Sequence, residues 1–156
     1  MADLIEVRWH GRGGQGAKTA SQLLAGAALD EDMYIQAFSE YGPERMGAPI
    51  QSFTRISKEP IMIHCHVTDP EVVVVLDPTL LGTVDVASGL SEEGKLIVNT
   101  NKSPSDIRKE TGLKGARIYT VDATQIALDC LGRPIPNTPM IGALIKVTEL
   151  IKIENL

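Results

Sequence analysis

Trp9-His10-Gly11-Arg12-Gly13-Gly14-Gln15-Gly16-Ala17-Lys18-Thr19 decides how this chain is read. A strand-like run, Ile5-Glu6-Val7-Arg8-Trp9, feeds a turn with four glycines in six residues. A helix-like run from Ala17 to Leu29 follows. Glycines between a strand and a helix let the backbone turn sharply and approach another group closely. The N–H groups that open the helix carry partial positive charge, which is how α/β proteins hold a phosphate or another anion.

Outward from the turn, strand and helix signals alternate. Tyr34 to Phe38 alternates and reads as a strand, and Ser39 to Pro49 reads as a Gly/Pro loop. Ile50 to Ile56 alternates apolar and polar, as a half-exposed strand does. Ile61 to Cys65 is expected to pair with it as a hairpin-like, antiparallel addition. Val72 to Leu76 is continuously apolar, as in a strand buried on both faces, and Asp77-Pro78-Thr79 reads as a helix N-cap with Pro in the first turn. Lys95–Asn99 and Arg117–Val121 read as further strands. Helices are expected from Ser103 to Gly112, from Asp122 to about Leu131, and from Met140 to Ile151 after a Pro/Gly-rich link. The expected fold is a three-layer α/β/α, Rossmann-like arrangement with a mostly parallel sheet and an antiparallel addition. By length the chain, 1–156, is expected to form a single domain.

Composition narrows the function classes. Aromatics are only 4% of the residues, so the core must be built from Val, Ile, Leu, Ala and Met. A net charge of −5, with no basic cluster interleaved with aromatics, argues against a nucleic-acid partner. Apolar runs are far shorter than a membrane span, and Met1-Ala2-Asp3 opens no signal peptide. Cys65 and Cys130 are isolated, which fits a reducing cytoplasmic setting and inert core thiols.

Several residues are candidates for chemistry. Gly11, Gly13 and Gly16 fit G-x-G-x-x-G, with Glu40 as a late acidic partner; that reading gives a nucleotide-binding dehydrogenase or regulatory domain. The structural alternative is that the glycines only permit close strand–helix packing. Tyr41, Glu44 and Arg45, in the loop Ser39–Pro49, are candidates for contact with a ligand or partner. His64 and His66 flank Cys65 and suggest a metal, but no further ligand lies nearby in sequence, and no metal site is expected. His10 could favour an anion if protonated; otherwise it is a hydrogen-bonded neighbour of the turn. The sequence holds no C-x-x-C-x-x-C run, no G-x-S-x-G elbow, no H-E-x-x-H and no Ser/His/Asp set, so no catalytic residue is expected on this chain.

Four stretches together resemble the gamma subunit of 2-oxoacid:ferredoxin oxidoreductases. They are Gly11 to Ala20, Tyr41-Gly42-Pro43-Glu44-Arg45-Met46-Gly47-Ala48-Pro49, Val74-Val75-Leu76-Asp77-Pro78-Thr79-Leu80, and Asn137-Thr138-Pro139-Met140-Ile141-Gly142-Ala143-Leu144. They come in the family's order and span nearly the whole chain. The Met-Gly-Ala-Pro and Asn-Thr-Pro-Met segments look most like the pyruvate branch (pyruvate synthase), with the 2-oxoisovalerate branch close behind. The resemblance implies an enzyme that turns a 2-oxoacid, coenzyme A and oxidised ferredoxin into acyl-CoA, CO2 and reduced ferredoxin. It implies that thiamine diphosphate and the 4Fe–4S clusters sit on other subunits, which are the expected partners, and that ferredoxin is met through the complex. It also implies that Gly11, Arg12, Gly13, Gly14, Gln15, Gly16 and Thr19 contribute to a coenzyme A site. The loop of Tyr41, Glu44 and Arg45 would face the ligand or a neighbouring subunit. A purely structural adaptor remains the other reading. Gamma subunits of the family generally continue past the fourth stretch, so assembly geometry is not carried over one-to-one.

Overall fold

The computed structural model describes residues 4–40 and 46–156. They form a six-stranded sheet in the order β2-β3-β1-β4-β5-β6. Its strands are β1 (Leu4–Arg12), β2 (Tyr34–Glu40), β3 (Pro49–Ser57), β4 (Val72–Val75), β5 (Lys95–Asn99) and β6 (Arg117–Val121). The helices are α1 (Ala17–Leu29), α2 (Pro104–Thr111), α3 (Ala123–Leu131) and α4 (Asn137–Thr148), with a 3-10 helix at Pro78–Gly82. The α/β class is as expected. Among the described residues no helix is long and apolar enough to cross a membrane.

Alternation along the strands sorts the core into two layers. On one face Val7, Trp9, Ile56, Val72, Val74 and Ile97 pack under α1 and α4. Ala17, Ala20, Ala25, Ala27 and Ala28 let α1 lie close to the sheet. On the other face Val73, Val75, Leu96 and Val98 pack with Leu80 of the 3-10 helix and Ile107 of α2. Strand β4 is buried on both faces, which explains its unbroken run of valines. Helix starts follow the capping chemistry. The Ser103 side chain accepts from the Asp106 amide, and Asp122 accepts from that of Gln125. Gly112 and Gly132 close α2 and α3 in the left-handed conformation.

The antiparallel element differs from the expectation. Strand β3 pairs antiparallel with both β1 and β2 and lies between them, with Trp9 opposite Ser52 and Phe38 opposite Phe53. The segment Ile61–Cys65 is not a strand of the sheet. It is nevertheless held by two strands. The carbonyls of Ile61 and Ile63 accept from the Gln36 side chain, and that of Cys65 accepts from Arg55 at 2.7 Å. The segment is held as a strap beside β2 and β3 by these side chains. The final helix starts three residues earlier than expected, at Asn137, with Pro139 in its first turn, where a missing N–H costs nothing. Both cysteines are exposed, against the expectation of core thiols.

Candidate functional site

The ends of β1 and β4 define the site. Strand β1 hands the chain to α1 on one face, and its neighbour β4 hands it to the 3-10 helix on the other. Adjacent parallel strands whose following connections leave in opposite directions open a crevice at their carboxyl ends. The glycine turn forms one lip and Asp77–Thr79 the other.

Gly14 and Gly16 have φ of +94° and +84°, where side chains are strained. Gly16 is the N-cap of α1 and offers no side chain. The first helical bond is Ala20 N–H to the Gly16 carbonyl at 2.8 Å. The amides of Ala17, Lys18 and Thr19 therefore have no acceptor among the described residues. Lys18 and Thr19 are exposed at this opening.

Two side chains expected at the coenzyme A site, Gln15 and Arg12, make bonds within the protein. Gln15 accepts the Arg12 amide at 2.7 Å and donates to the Asp77 carboxylate at 2.6 Å. Arg12 reaches Asp77 through Nε at 3.3 Å, the Thr79 hydroxyl through Nε and Nη2, and the Gly47 carbonyl through Nη1 at 3.1 Å. Burial works against the charged form of Asp77, but hydrogen bonds from Thr79 and Gln15 and the Arg12 charge outweigh it and hold the carboxyl below its ordinary range. Sequence reading saw Asp77 only as a helix cap, which it is: it accepts the Thr79 amide at 2.9 Å. Its bonds to Gln15 and Arg12 depend on strand order, which no local signal carries.

Other segments close on the same edge. Gly13 N–H donates to the Ala48 carbonyl at 3.0 Å, and a Cβ on Gly13 would lie 3.2 Å from the Gly47 nitrogen. A Cβ on Gly16 would lie 2.7 Å from Asn137 Nδ2, so the start of α4 rests on the start of α1. Asn137 Oδ1 accepts the Thr138 amide, which turns the NH2 of Asn137 towards Gly16. A Cβ on Gly11 would meet Ala17 and Leu76 at 3.3 Å, so that glycine serves packing within β1. At Gly14 a Cβ would meet nothing within 4 Å.

The remaining expectations fall elsewhere. Tyr41, Glu44 and Arg45 lie outside the described residues. Glu40 ends β2, two strands from β1, on the face opposite α1, and pairs with His66. The dinucleotide reading needs its acidic residue beside the first strand, so Glu40 does not supply it. His10 also points away from α1. It is 2% exposed, and its Nε2 accepts from Arg8 Nε at 3.1 Å. Burial, then the Arg8 charge, lowers its pKa to about 3 against the pull of the Val86 carbonyl, so it is neutral and no anion partner. Among the described residues no three His, Cys, Asp or Glu side chains come together to hold a metal ion.

The family model for pyruvate ferredoxin/flavodoxin oxidoreductase matches residues 6–156. The chain belongs to that family. It is 53% identical over 153 residues to the pyruvate/ketoisovalerate oxidoreductases common subunit gamma of Pyrococcus abyssi, covering 98% of this chain and 83% of the relative. It is 55% identical over 150 residues to pyruvate synthase subunit PorC of Thermotoga maritima, covering 96% and 77%. The crystal structure of pyruvate oxidoreductase subunit PORC from Thermotoga maritima superposes with a TM-score of 0.89 at 52% identity, covering 98% of this chain and 81% of that one. A 2-oxoglutarate:ferredoxin oxidoreductase from Magnetococcus marinus, solved with 2-oxoglutarate, coenzyme A and succinyl-CoA bound, shares the fold. Its TM-score is 0.78 at 16% identity, over 26% of that larger chain. The chain is thus a gamma-type subunit of a pyruvate, or 2-oxoacid, ferredoxin oxidoreductase. The four stretches that resembled the family, as far as they are described, meet at one edge of the sheet: the glycine turn, Met46–Pro49, Asp77–Thr79 and Asn137.

Proposed function

We propose that this subunit contributes the anion-holding part of the coenzyme A site in an assembled pyruvate:ferredoxin oxidoreductase. The observation that carries the reading is the set of unpaired amides of Ala17, Lys18 and Thr19, which opens beside Lys18 at the β1–β4 crevice. A coenzyme A diphosphate suits that opening: helix N-terminal N–H groups and an exposed ammonium offer charge-assisted donors. Gly14, with open space at its Cα, leaves room for the approach. Coenzyme A supplies the thiol that takes the acyl group; this chain's part is to bind and orient its anionic end.

Thiamine diphosphate and the clusters are assigned to partner subunits. Two isolated, exposed cysteines cannot supply the four thiolates of a cluster. Exposed Ile126, Leu128, Leu131 and Ile135, on and just after α3, suit packing against such a subunit. The purified chain alone is expected to show no pyruvate-dependent reduction of a redox dye. Robust activity without added subunits would overturn the assignment.

Gly14→Asp tests the site directly. The new side chain enters open space, so the fold loses only about 1–2 kcal/mol of backbone strain. A carboxylate near the start of α1 returns about 0.3–1 kcal/mol through the helix dipole. The same charge repels the diphosphate, so the KM for coenzyme A in the assembled enzyme is expected to rise about tenfold, equivalent to about 1.4 kcal/mol. An unchanged KM with assembly intact would remove the ligand role. Hydrogen exchange then reads the adaptor alternative, in which the turn is protected by a partner subunit but not by coenzyme A.

A further inference from the structure

Arg12 and Asp77 invite a reading in which the arginine waits for an anion. The bonds around them indicate another role. The Arg12 guanidinium, at the end of β1, touches two separate segments at once: Asp77 and Thr79 after β4, and Gly47 before β3. Gly13, next in sequence, binds the same 46–49 segment through the Ala48 carbonyl. Gln15 fixes the Asp77 carboxylate from the other side and holds the Arg12 amide. A guanidinium can make this set of bonds because its donors are arranged in a planar fork, whereas an ammonium is a single point of charge. Its side chain is 29% exposed, so it is reachable, but each of its three nitrogens already donates to an acceptor in the protein.

We propose that Arg12 is a positioning residue that clamps the Met46–Pro49 segment against the glycine turn, with Asp77 as its anchor, and so fixes the geometry of the coenzyme A opening without touching the ligand. The last clause rests on the coenzyme A reading; the clamp itself does not.

The two roles predict opposite signs for one substitution. If Arg12 clamps, Asp77→Asn and Arg12→Lys both loosen the same contact. Both then speed exchange of the Gly13 amide about tenfold in the full chain. In the assembled enzyme both raise the KM for coenzyme A about threefold or more, and the double variant is no worse than the worse single one. If Arg12 instead binds the anion, Asp77→Asn frees the guanidinium and lowers that KM while Arg12→Lys raises it, and the proposal is overturned. Unaltered Gly13 exchange in Arg12→Lys also overturns it. Faster exchange with no change of KM keeps the clamp and removes the coenzyme A reading. Thr79→Val removes the hydroxyl that two guanidinium nitrogens share. It gives the same readout at smaller amplitude should Asp77→Asn fail to fold.

Discussion

Arg55→Met is expected to destabilise the fold by about 3–5 kcal/mol, the usual loss when one partner of a buried ion pair is deleted. Arg55 is 1% exposed in the second half of β3. Its Nε donates to Glu6 Oε1 of β1 at 2.7 Å, Nη1 to the Gln36 side chain of β2 at 3.1 Å, and Nη2 to the Cys65 carbonyl of the strap. The guanidinium carbon lies 5.3 Å from the centre of the Phe38 ring, which itself stacks on Phe53. Methionine fills the volume but leaves a carboxylate, an amide oxygen and a carbonyl without their donor. Glu6→Gln keeps an acceptor and should cost less. Arg55→Met combined with Glu6→Gln should cost less than the sum of the two, because the stranded charge is gone. Urea titration gives the stability change, and limited proteolysis at residues 61–65 reports release of the strap. A loss below about 1 kcal/mol for Arg55→Met would show that the hub is dispensable.

Acid should weaken the fold well before the carboxylates titrate. Folded His10 has a pKa near 3, against an ordinary 6.5. Between those values the unfolded chain holds a proton that the folded chain refuses. Stability therefore rises with pH in this window and is lost as pH falls from 6.5 towards 3. The slope approaches about 1.4 kcal/mol per pH unit below pH 6.5, or roughly 2 kcal/mol between pH 6.5 and 4.5. The cause is local. Arg8 occupies the imidazole acceptor and is held by the Val86 and Ser88 carbonyls, while Asp85 and Asp69 favour its charge. A proton added on Nε2 would face the Arg8 Nε–H in place of an acceptor. His10→Gln keeps an acceptor for Arg8 and removes the titration, so its stability should be flat from pH 6.5 to 4.5. An equally steep decline in that variant would place the effect on another group. Asp77, Glu31 and Asp106 are held below their ordinary values, so their losses come lower on the pH scale.

What local sequence could show was the order of elements. The valine run of β4, the Ser103 and Asp122 caps, and the glycines at the ends of α2 and α3 each act within a few residues, so they were legible. The strap was not. Ile61–Cys65 reads as a partner strand for Ile50–Ile56, but its partners are the side chains of Gln36 and Arg55, and local sequence says nothing about who accepts a hydrogen bond. Gln15 and Arg12 are expected from the sequence to contribute to a coenzyme A site, and no local signal shows their bonds within the protein. Only the adjacency of β1 and β4 brings Asp77 within 2.6 Å of Gln15 and turns both side chains inward. Asn137 reaches Gly16 across more than a hundred residues for the same reason.

The position of β3 also has a consequence in time. A strand that runs against both neighbours must enter between two that are already separated by a helix. The β2–β3 pair is the more local of its two pairings, and Phe38 on Phe53 gives it a nucleus of its own. Pairing with β1 closes a loop of some forty residues, which costs more chain entropy. The hairpin is thus placed to form first and dock second, and docking is the step that brings Ala48 to Gly13. Core substitutions at Phe53 should slow refolding, whereas loosening Gly13 or Arg12 should mainly quicken unfolding. On that order, the contact of Gly13 with Ala48 that closes the glycine turn forms with docking and not before it.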